Sequence, residues 1–402
     1  MLAILTTHPI QYQVPIWRAL AECGRVSFEV WYLTDFGVRP SADREFGKTF
    51  AWDIELLAGY PHRFIKTPAG ASPVTFWRCH ARERLRDRMR RSGTKALWIQ
   101  GWQVAAYWQA VGAAKVSGVE IWLRGESNDL APIPFWKRPV KRAVLGRLFA
   151  HVDRFLYIGA ANRRLYESFG VADARLYPAP YAVDNERFAQ QAVALRPQRN
   201  ELRRRWRIAQ DAFCVLFCGK FIAKKRPLDL IAAAELLRAE GRVPNIHLLF
   251  VGSGELGAAL RHACCVAYDA EAEAVQGAAS GDALTGVIAQ PLVSFAGFLN
   301  QTEISRAYVA ADCLVLPSDH GETWGLVANE ALASGLACLV SDACGCAEDL
   351  VRDQYSYPLG NIRCLADKLE RLQRERPSES FQQLPSIDQT VSTINRAYAE
   401  LS

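Results

Sequence analysis

The chain has 402 residues, half of them hydrophobic and 22% charged, with a net charge of +6. That length exceeds what one ordinary core accommodates and predicts two domains, while the balance excludes fibrous, collagen-like and disordered classes. Eleven cysteines, an odd number scattered through apolar runs such as DAFCVLFCGK, argue against a disulfide framework and for small buried thiols.

The opening MLAILTTHPIQYQ has no basic leader region and its apolar run stops at Thr6, so it reads as a first strand and not a secretion signal. No run of eighteen uncharged apolar residues follows, so a cytoplasmic chain is expected, peripheral on the cytoplasmic face of a membrane if tethered at all. Short apolar runs then alternate with helical stretches: LAILTT, FEVWYLT, ALWIQG, VEIWLRG, RFLYIG and ARLYPAP. After a polar interval come CVLFCG, HLLFVG, VSFAG, CLVLPS and ACLVS. Near-continuous hydrophobic strands alternating with helices predict two α/β domains, each a parallel sheet wound on both faces. The break falls near residues 178–190, where two prolines and a polar helical stretch intervene. The expected division is 1–185, joined by a C-terminal helix 386–402, and 186–385. Residues 256–290 read as one helix followed by a surface insertion.

Positive charge is concentrated. RCHARERLRDRMRR (78–91) sets seven arginines against Glu83 and Asp87, and FWKRPVKRAVLGRLF (135–149) contains no acid. The second stretch interleaves aromatic and aliphatic residues with Lys137, Arg138, Lys141, Arg142 and Arg147, a pattern suited to an anionic membrane surface or to a solvated helix face. No nucleic-acid motif accompanies the charge, so no nucleic-acid partner is expected.

In open parallel sheets ligands sit beyond the carboxyl ends of the strands. CVLFCGKFIAKKRP ends a strand in Gly219 and then presents Lys220, Lys224, Lys225 and Arg226; LLFVGSGELG ends one in Gly252 and Gly254. CLVLPSDHGETWGLVANE leads through a polar loop into a helix whose first amides, near Thr323, Trp324, Gly325 and Leu326, suit a phosphate. With Lys220 and Lys225 alongside, these residues describe a diphosphate site. Glu322 and Glu330 are eight residues apart, roughly 12 Å if helical, which suits hydroxyls on either side of a diphosphate. Glu322 would reach a sugar and Glu330 a ribose; the alternative is that each caps or pairs locally. For Glu330 that alternative is weakened by an otherwise apolar helix, where an unpartnered carboxylate is costly.

GSGELG (252–257) also matches a dinucleotide fingerprint, but it follows the second strand of its series, and the nearest acids, Asp269 and Glu271, read as part of a helix or insertion, so a phosphate or sugar loop is the preferred reading. In the first series TTHPIQYQVP (6–15) would project His8, Gln11 and Tyr12 from a strand end, and LRGESND (123–129) offers Arg124 and Glu126 at another. Both sets suit an acceptor, or a local turn network. Asp-x-Asp, His-x-x-x-His and ligand-spaced cysteine patterns are missing, so no obligatory metal or other cofactor is expected.

HGETWGLVANEALASG is similar to the Glu-x₇-Glu signature of the retaining glycosyltransferases of family 4, and GKFIAKKRP resembles their Gly-Arg/Lys-x₄-Lys donor loop. LLFVGSG, VSFAGF and the link YPAPYAVDNERF resemble that family in the same order. The resemblance covers most of residues 177–350, and it implies the GT-B fold, two Rossmann-like domains facing a central cleft. It further implies transfer of a sugar from a nucleotide diphosphate sugar to an acceptor hydroxyl with retention, without an obligatory metal. By position, Lys220 and Lys225 would bind the diphosphate and help it leave, Glu322 would hold the donor sugar and Glu330 the ribose. THPIQYQVP with LRGES resembles a bacterial subgroup associated with surface polysaccharide assembly, which implies a lipid-linked or soluble glycan acceptor. Where the family commonly has a glycine-rich first loop this chain has HPIQYQ, and where it commonly has a histidine this chain has LRGES. An epimerase or phosphorylase of the same fold, and a non-catalytic sugar-nucleotide-binding partner, are the competing readings.

Overall fold

A computed structural model describes residues 1–38, 41–43, 48–276, 290–375 and 384–401. It divides into two units, the first comprising Met1–Ser41, Thr49–Val183 and Pro385–Ser402, the second Asp184–Leu384 with Ala42–Lys48.

The strands are β1 (Leu2–Thr6), β2 (Phe28–Tyr32), β3 (Ser41–Asp43), β4 (Lys48–Phe50), β5 (His62–Phe64), β6 (Ala96–Ile99), β7 (Glu120–Leu123), β8 (Arg154–Tyr157) and β9 (Leu176–Pro178). There follow β10 (Phe213–Cys218), β11 (Ile246–Val251), β12 (Cys265–Asp269), β13 (Leu292–Gly297), β14 (Cys313–Leu316), β15 (Ala337–Ser341) and β16 (Ser356–Tyr357). The first unit carries a seven-stranded sheet in the order β5-β2-β1-β6-β7-β8-β9, and the second a seven-stranded sheet in the order β12-β13-β11-β10-β14-β15-β16. Both are parallel throughout. Strands β3 and β4 form a separate two-stranded ribbon.

Winding on both faces explains the continuous hydrophobic runs. Every residue of β1 is buried; Leu2 and Ile4 enter one core cluster, Ala3 and Leu5 the cluster on the other face. That is the period-2 alternation of a strand covered on both sides. The C-terminal helix Ile387–Ala399 starts with a reciprocal Ser386/Gln389 cap and places Val391, Ile394 and Ala397 in the same cluster as Leu2 and Ile4. The last residues of the chain therefore complete the first unit's core.

The reading of residues 256–290 is corrected. A short helix, Gly257–His262, is followed by β12 and by the helix Ala270–Gln276; residues 277–289 lie outside the described residues. β12 is an edge strand in which only Cys265 is buried, so it lacks the continuous apolar run of its neighbours. The two- and three-residue edge strands β16 and β5 lack it for the same reason.

Inside the second unit His247 on β11 is buried, and its Nε2 lies 2.8 Å from the Ser294 hydroxyl on β13. That hydroxyl donates to the Trp206 carbonyl at 2.6 Å, so it accepts from the imidazole. Burial lowers the His247 pKa to about 4, with Arg203 adding to the shift. The unfolded state thus binds the extra proton between about pH 6.5 and about 4, and folding stability falls as pH drops through that window. A shift of that size corresponds to about 3 kcal/mol. Between pH 7 and pH 5 denaturant unfolding is expected to show about 2 kcal/mol of this loss from His247, and His247→Gln to reduce the dependence by that amount.

Candidate functional site

Strand β10 lies between β11 and β14, so the chain order reverses there and the loops leaving β10 and β14 diverge. The opposite, amino end of this pair is fastened by Asp312. Its carboxylate accepts from the Cys214 amide at 2.7 Å and from Arg199 at 2.8 Å, with Arg203 at 3.4 Å. The carboxyl end is left for side chains.

There the loops after β10, β11 and β13 are joined through their backbones. The Gly219 amide donates to the Val251 carbonyl at 3.0 Å, Phe221 to Ser253 at 2.8 Å and Gly252 to Gly297 at 2.8 Å. Gly252 has φ +131°, and a Cβ on it would stand 2.0 Å from the Gly219 carbonyl oxygen. No side chain fits, so the glycine is a packing requirement. Gly219 and Gly252, both expected in ligand loops, pack against each other.

From this platform a short turn, Ala223–Lys225, carries Lys225 to the loop after β14, where its ammonium pairs directly with the Glu322 carboxylate. Both side chains are largely covered. The Ser318 hydroxyl donates to the same carboxylate at 3.3 Å. The loop's backbone is held as well: Gly345 donates to the Glu322 carbonyl at 3.1 Å, Cys346 to that of Trp324 at 3.1 Å, and Asp319 to that of Lys224 at 2.8 Å.

Gly325, at φ +109°, then turns the chain into the helix Leu326–Ala333, and no side chain caps that helix. A Cβ on Gly325 would be 2.5 Å from Leu316 and 3.7 Å from the Glu322 side chain, so the carboxylate arm lies against the helix's entry. Leu326 is half-buried and the Thr323 side chain likewise; Trp324 is buried and donates from Nε1 to Asn329 at 2.8 Å. Lys220 is half-buried in the loop after β10.

Glu330 is held by donors of its own unit. It is 3% exposed and accepts from the Tyr308 hydroxyl at 2.5 Å and from Gln301 Nε2 at 3.4 Å. Gln301 is in turn held by Arg187, at 2.8 Å through its side chain and 3.1 Å through its carbonyl. Burial of this carboxylate therefore demands no ligand, because its own unit supplies donors. Cys218, at the end of β10, connects the two clusters electrostatically: burial raises its thiol pKa to about 12, the Glu330 charge adds to the rise and Lys225 opposes it. Tyr308 and Gln301 carry no motif, and only the folded chain brings them to Glu330.

In the first unit the order reverses between β1 and β6. His8, Gln11 and Tyr12 lie in the turn between β1 and the helix Val14–Cys23. His8 Nδ1 is 2.9 Å from the Thr7 hydroxyl, its ring meets Phe36 edge-on at 5.2 Å, and burial lowers its pKa to about 4. Arg124 is buried beyond β7, donates to the Ala179 carbonyl at 3.3 Å and stacks 4.6 Å from the Tyr181 ring centre. Among the described residues its Nε and Nη1 have no hydrogen-bond partner, nor has Nε2 of buried Gln100 just after β6. Desolvation lowers the guanidinium pKa to about 10, with Glu126 opposing the shift. Glu126 accepts from the Tyr181 hydroxyl. Its surface meets solvent but it stands over dense protein, and that desolvation raises its carboxyl, with Arg124 pulling it down. Arg124 and Glu126 are thus bridged by Tyr181, a residue the sequence reading had assigned only to the interdomain link.

Residues 212–375 match the family model described as glycosyl transferases group 1. The solved structure of Alr3699/HepE from Anabaena, in complex with UDP and glucose, superposes with a TM-score of 0.60 over 99% of this chain and 98% of that one, at 13% identity. The fold is GT-B. The family match falls entirely within the second GT-B unit. Two relatives named D-inositol 3-phosphate glycosyltransferase are each 32% identical. The match to the Nocardioides sp. protein covers 46% of this chain and 39% of that one; the match to the Geodermatophilus obscurus protein covers 57% and 47%. The chain spans less than half the length of either relative.

Gly252→Ala forces the loops after β10 and β11 apart and is expected to destabilise the second unit by about 2–4 kcal/mol. Urea unfolding followed by circular dichroism measures it, and a change within about 0.5 kcal/mol contradicts the packing described here.

Proposed function

We propose that the chain is a retaining glycosyltransferase that moves a hexose or related sugar from a nucleotide diphosphate sugar to an acceptor hydroxyl. The Lys225–Glu322 pair, set at the strand reversal of the second unit against the entry of an uncapped helix, is the observation that carries this reading. An ammonium has three N–H donors, so Lys225 can keep Glu322 and still meet phosphate oxygens. Charge that develops on a leaving diphosphate then finds a cation already oriented, with Lys220 on the same loop and the amides of Thr323 to Leu326 adding positive potential. Glu322 would contact the donor sugar and Glu330, at the buried end, the ribose. In this reading the lysines do the neutralising and no metal is obligatory. The relatives named as glycosyltransferases support sugar transfer, and a GT-B neighbour holding UDP and glucose supports a nucleotide sugar as donor.

The acceptor belongs to the first unit, beside His8, Gln11, Tyr12, Arg124 and Glu126. A lipid-linked or soluble glycan, in polysaccharide or glycolipid assembly on the cytoplasmic side of a membrane, fits the family 4 resemblance.

A panel of nucleotide sugars screened by thermal shift identifies the donor, because a ligand that binds only the folded state raises its apparent stability. With that donor, Lys225→Ala is expected to weaken nucleotide diphosphate binding and transfer together by roughly tenfold or more. Glu322→Ala is expected to lower turnover more than affinity for the free nucleotide. Unchanged kinetics in both variants would falsify the assignment. Donor consumption without acceptor would indicate an epimerase, a requirement for free phosphate a phosphorylase, and nucleotide binding without any turnover a binding partner.

A further inference from the structure

We propose that Arg226 is a positioning residue: held by Asp229, it fixes the direction in which the neighbouring Lys225 ammonium leaves its turn. The consequence for ligand binding rests on the transfer reading; the placement itself is tested without a ligand.

Among the described residues only Arg207 and Arg226 combine a positive φ with a side chain. Arg226 stands at φ +47° and ψ +45°, the left-handed region, where a Cβ crowds the following carbonyl oxygen. On backbone grounds glycine is the residue this position favours. The amide of Arg226 closes the turn Ala223–Lys225 by donating to the Ala223 carbonyl at 3.1 Å, and the helix Pro227–Ala239 begins at the next residue. Lys225 is thus the last residue of a single turn, and the φ and ψ of Arg226 set the angle between that turn and the helix.

What an arginine adds over glycine is an anchor. Its Nε donates to Asp229 Oδ2 at 2.7 Å and its Nη2 to Oδ1 at 3.1 Å, a two-point ion pair. Asp229 lies in the first turn of the helix, its amide donates to the Arg226 carbonyl at 3.1 Å, and its side chain is 14% exposed. Backbone and side chain therefore both fasten Arg226 to the helix start. Gly360, in the loop after β16 at φ +73°, lies against the guanidinium: a Cβ on it would stand 3.1 Å from Nη2. Lys225 carries its charge on a flexible four-carbon stem, so its ammonium keeps one place beside Glu322 only if the backbone that bears it is fixed. Glycine at position 226 would allow the same turn among many others, so its cost falls on that fixity more than on the fold.

Competitive acetylation of lysine amines on the full chain, read by peptide mass spectrometry, tests the placement. Paired Lys225 is expected to label slowly in the parent, and Glu322→Gln, which removes its partner, sets the upper limit. Arg226→Gly and Asp229→Asn should each raise Lys225 labelling roughly two- to fivefold. The double variant should add little to either, because both changes break one interaction. Lys368, on the helix Ile362–Glu375 of the same unit, donates to the carbonyls of Asp353 and Gln354 at 3.2 Å and 2.8 Å and serves as the reference. A role confined to stability would raise both lysines together. Unchanged Lys225 labelling, a parallel rise at Lys368, or additive effects in the double variant overturns the proposal. With the donor found by thermal shift, each single variant should bind it more weakly by a similar factor. Tighter binding by Asp229→Asn also overturns the proposal, since a released guanidinium acting directly on the diphosphate predicts that sign. If no nucleotide sugar binds the parent, the transfer reading fails by itself, and the labelling still decides whether Arg226 places Lys225.

Discussion

The second unit depends on how the loops leaving β10 and β14 are tied together where the strand order reverses. Each loop is anchored first by its backbone: Gly219 against Gly252 on one side, Glu322 and Trp324 under Gly345 and Cys346 on the other. Only then do Lys225 and Glu322 meet. A largely covered ion pair contributes little net stability, since desolvation offsets the attraction. Its value is positional, because it holds a cation and a carboxylate at fixed places beside a helix entry.

Around that pair the unit separates two kinds of carboxylate. Glu322 pairs with the Lys225 ammonium and accepts from the Ser318 hydroxyl. Glu330 is enclosed by Tyr308 and by Gln301, which Arg187 holds from behind. The same residue type, eight positions along, is therefore either a participant in a charged surface or the terminus of a buried hydrogen-bonded chain. Cys218 lies in the field of both, and its raised pKa keeps it a neutral spacer between them.

The first unit repeats the design with different chemistry. Its strand ends hold a largely desolvated histidine, a buried guanidinium with unpaired nitrogens and a carboxylate joined to it through Tyr181. Such groups are costly to bury. The cost is partly offset by stacking on Tyr181 and by the Ala179 carbonyl, which makes the connection after β9 part of the arrangement.

The sequence alone determined the two α/β series, most strands, the loop of lysines after β10 and the paired glutamates, because burial on both faces and glycine-marked turns leave local patterns. It could not show β12 or β16, whose edge positions remove the apolar continuity on which strand recognition rests. Strand order was equally invisible: the reversals at β10 and at β1 follow from which strands pair, a long-range choice with no local signature. Tertiary structure alone therefore decided that Lys225 meets Glu322, that Glu330 is satisfied by Tyr308 and Gln301, and that Tyr181 lies between Arg124 and Glu126. Each of these joins residues tens of positions apart, and only the folded backbone brings them into contact.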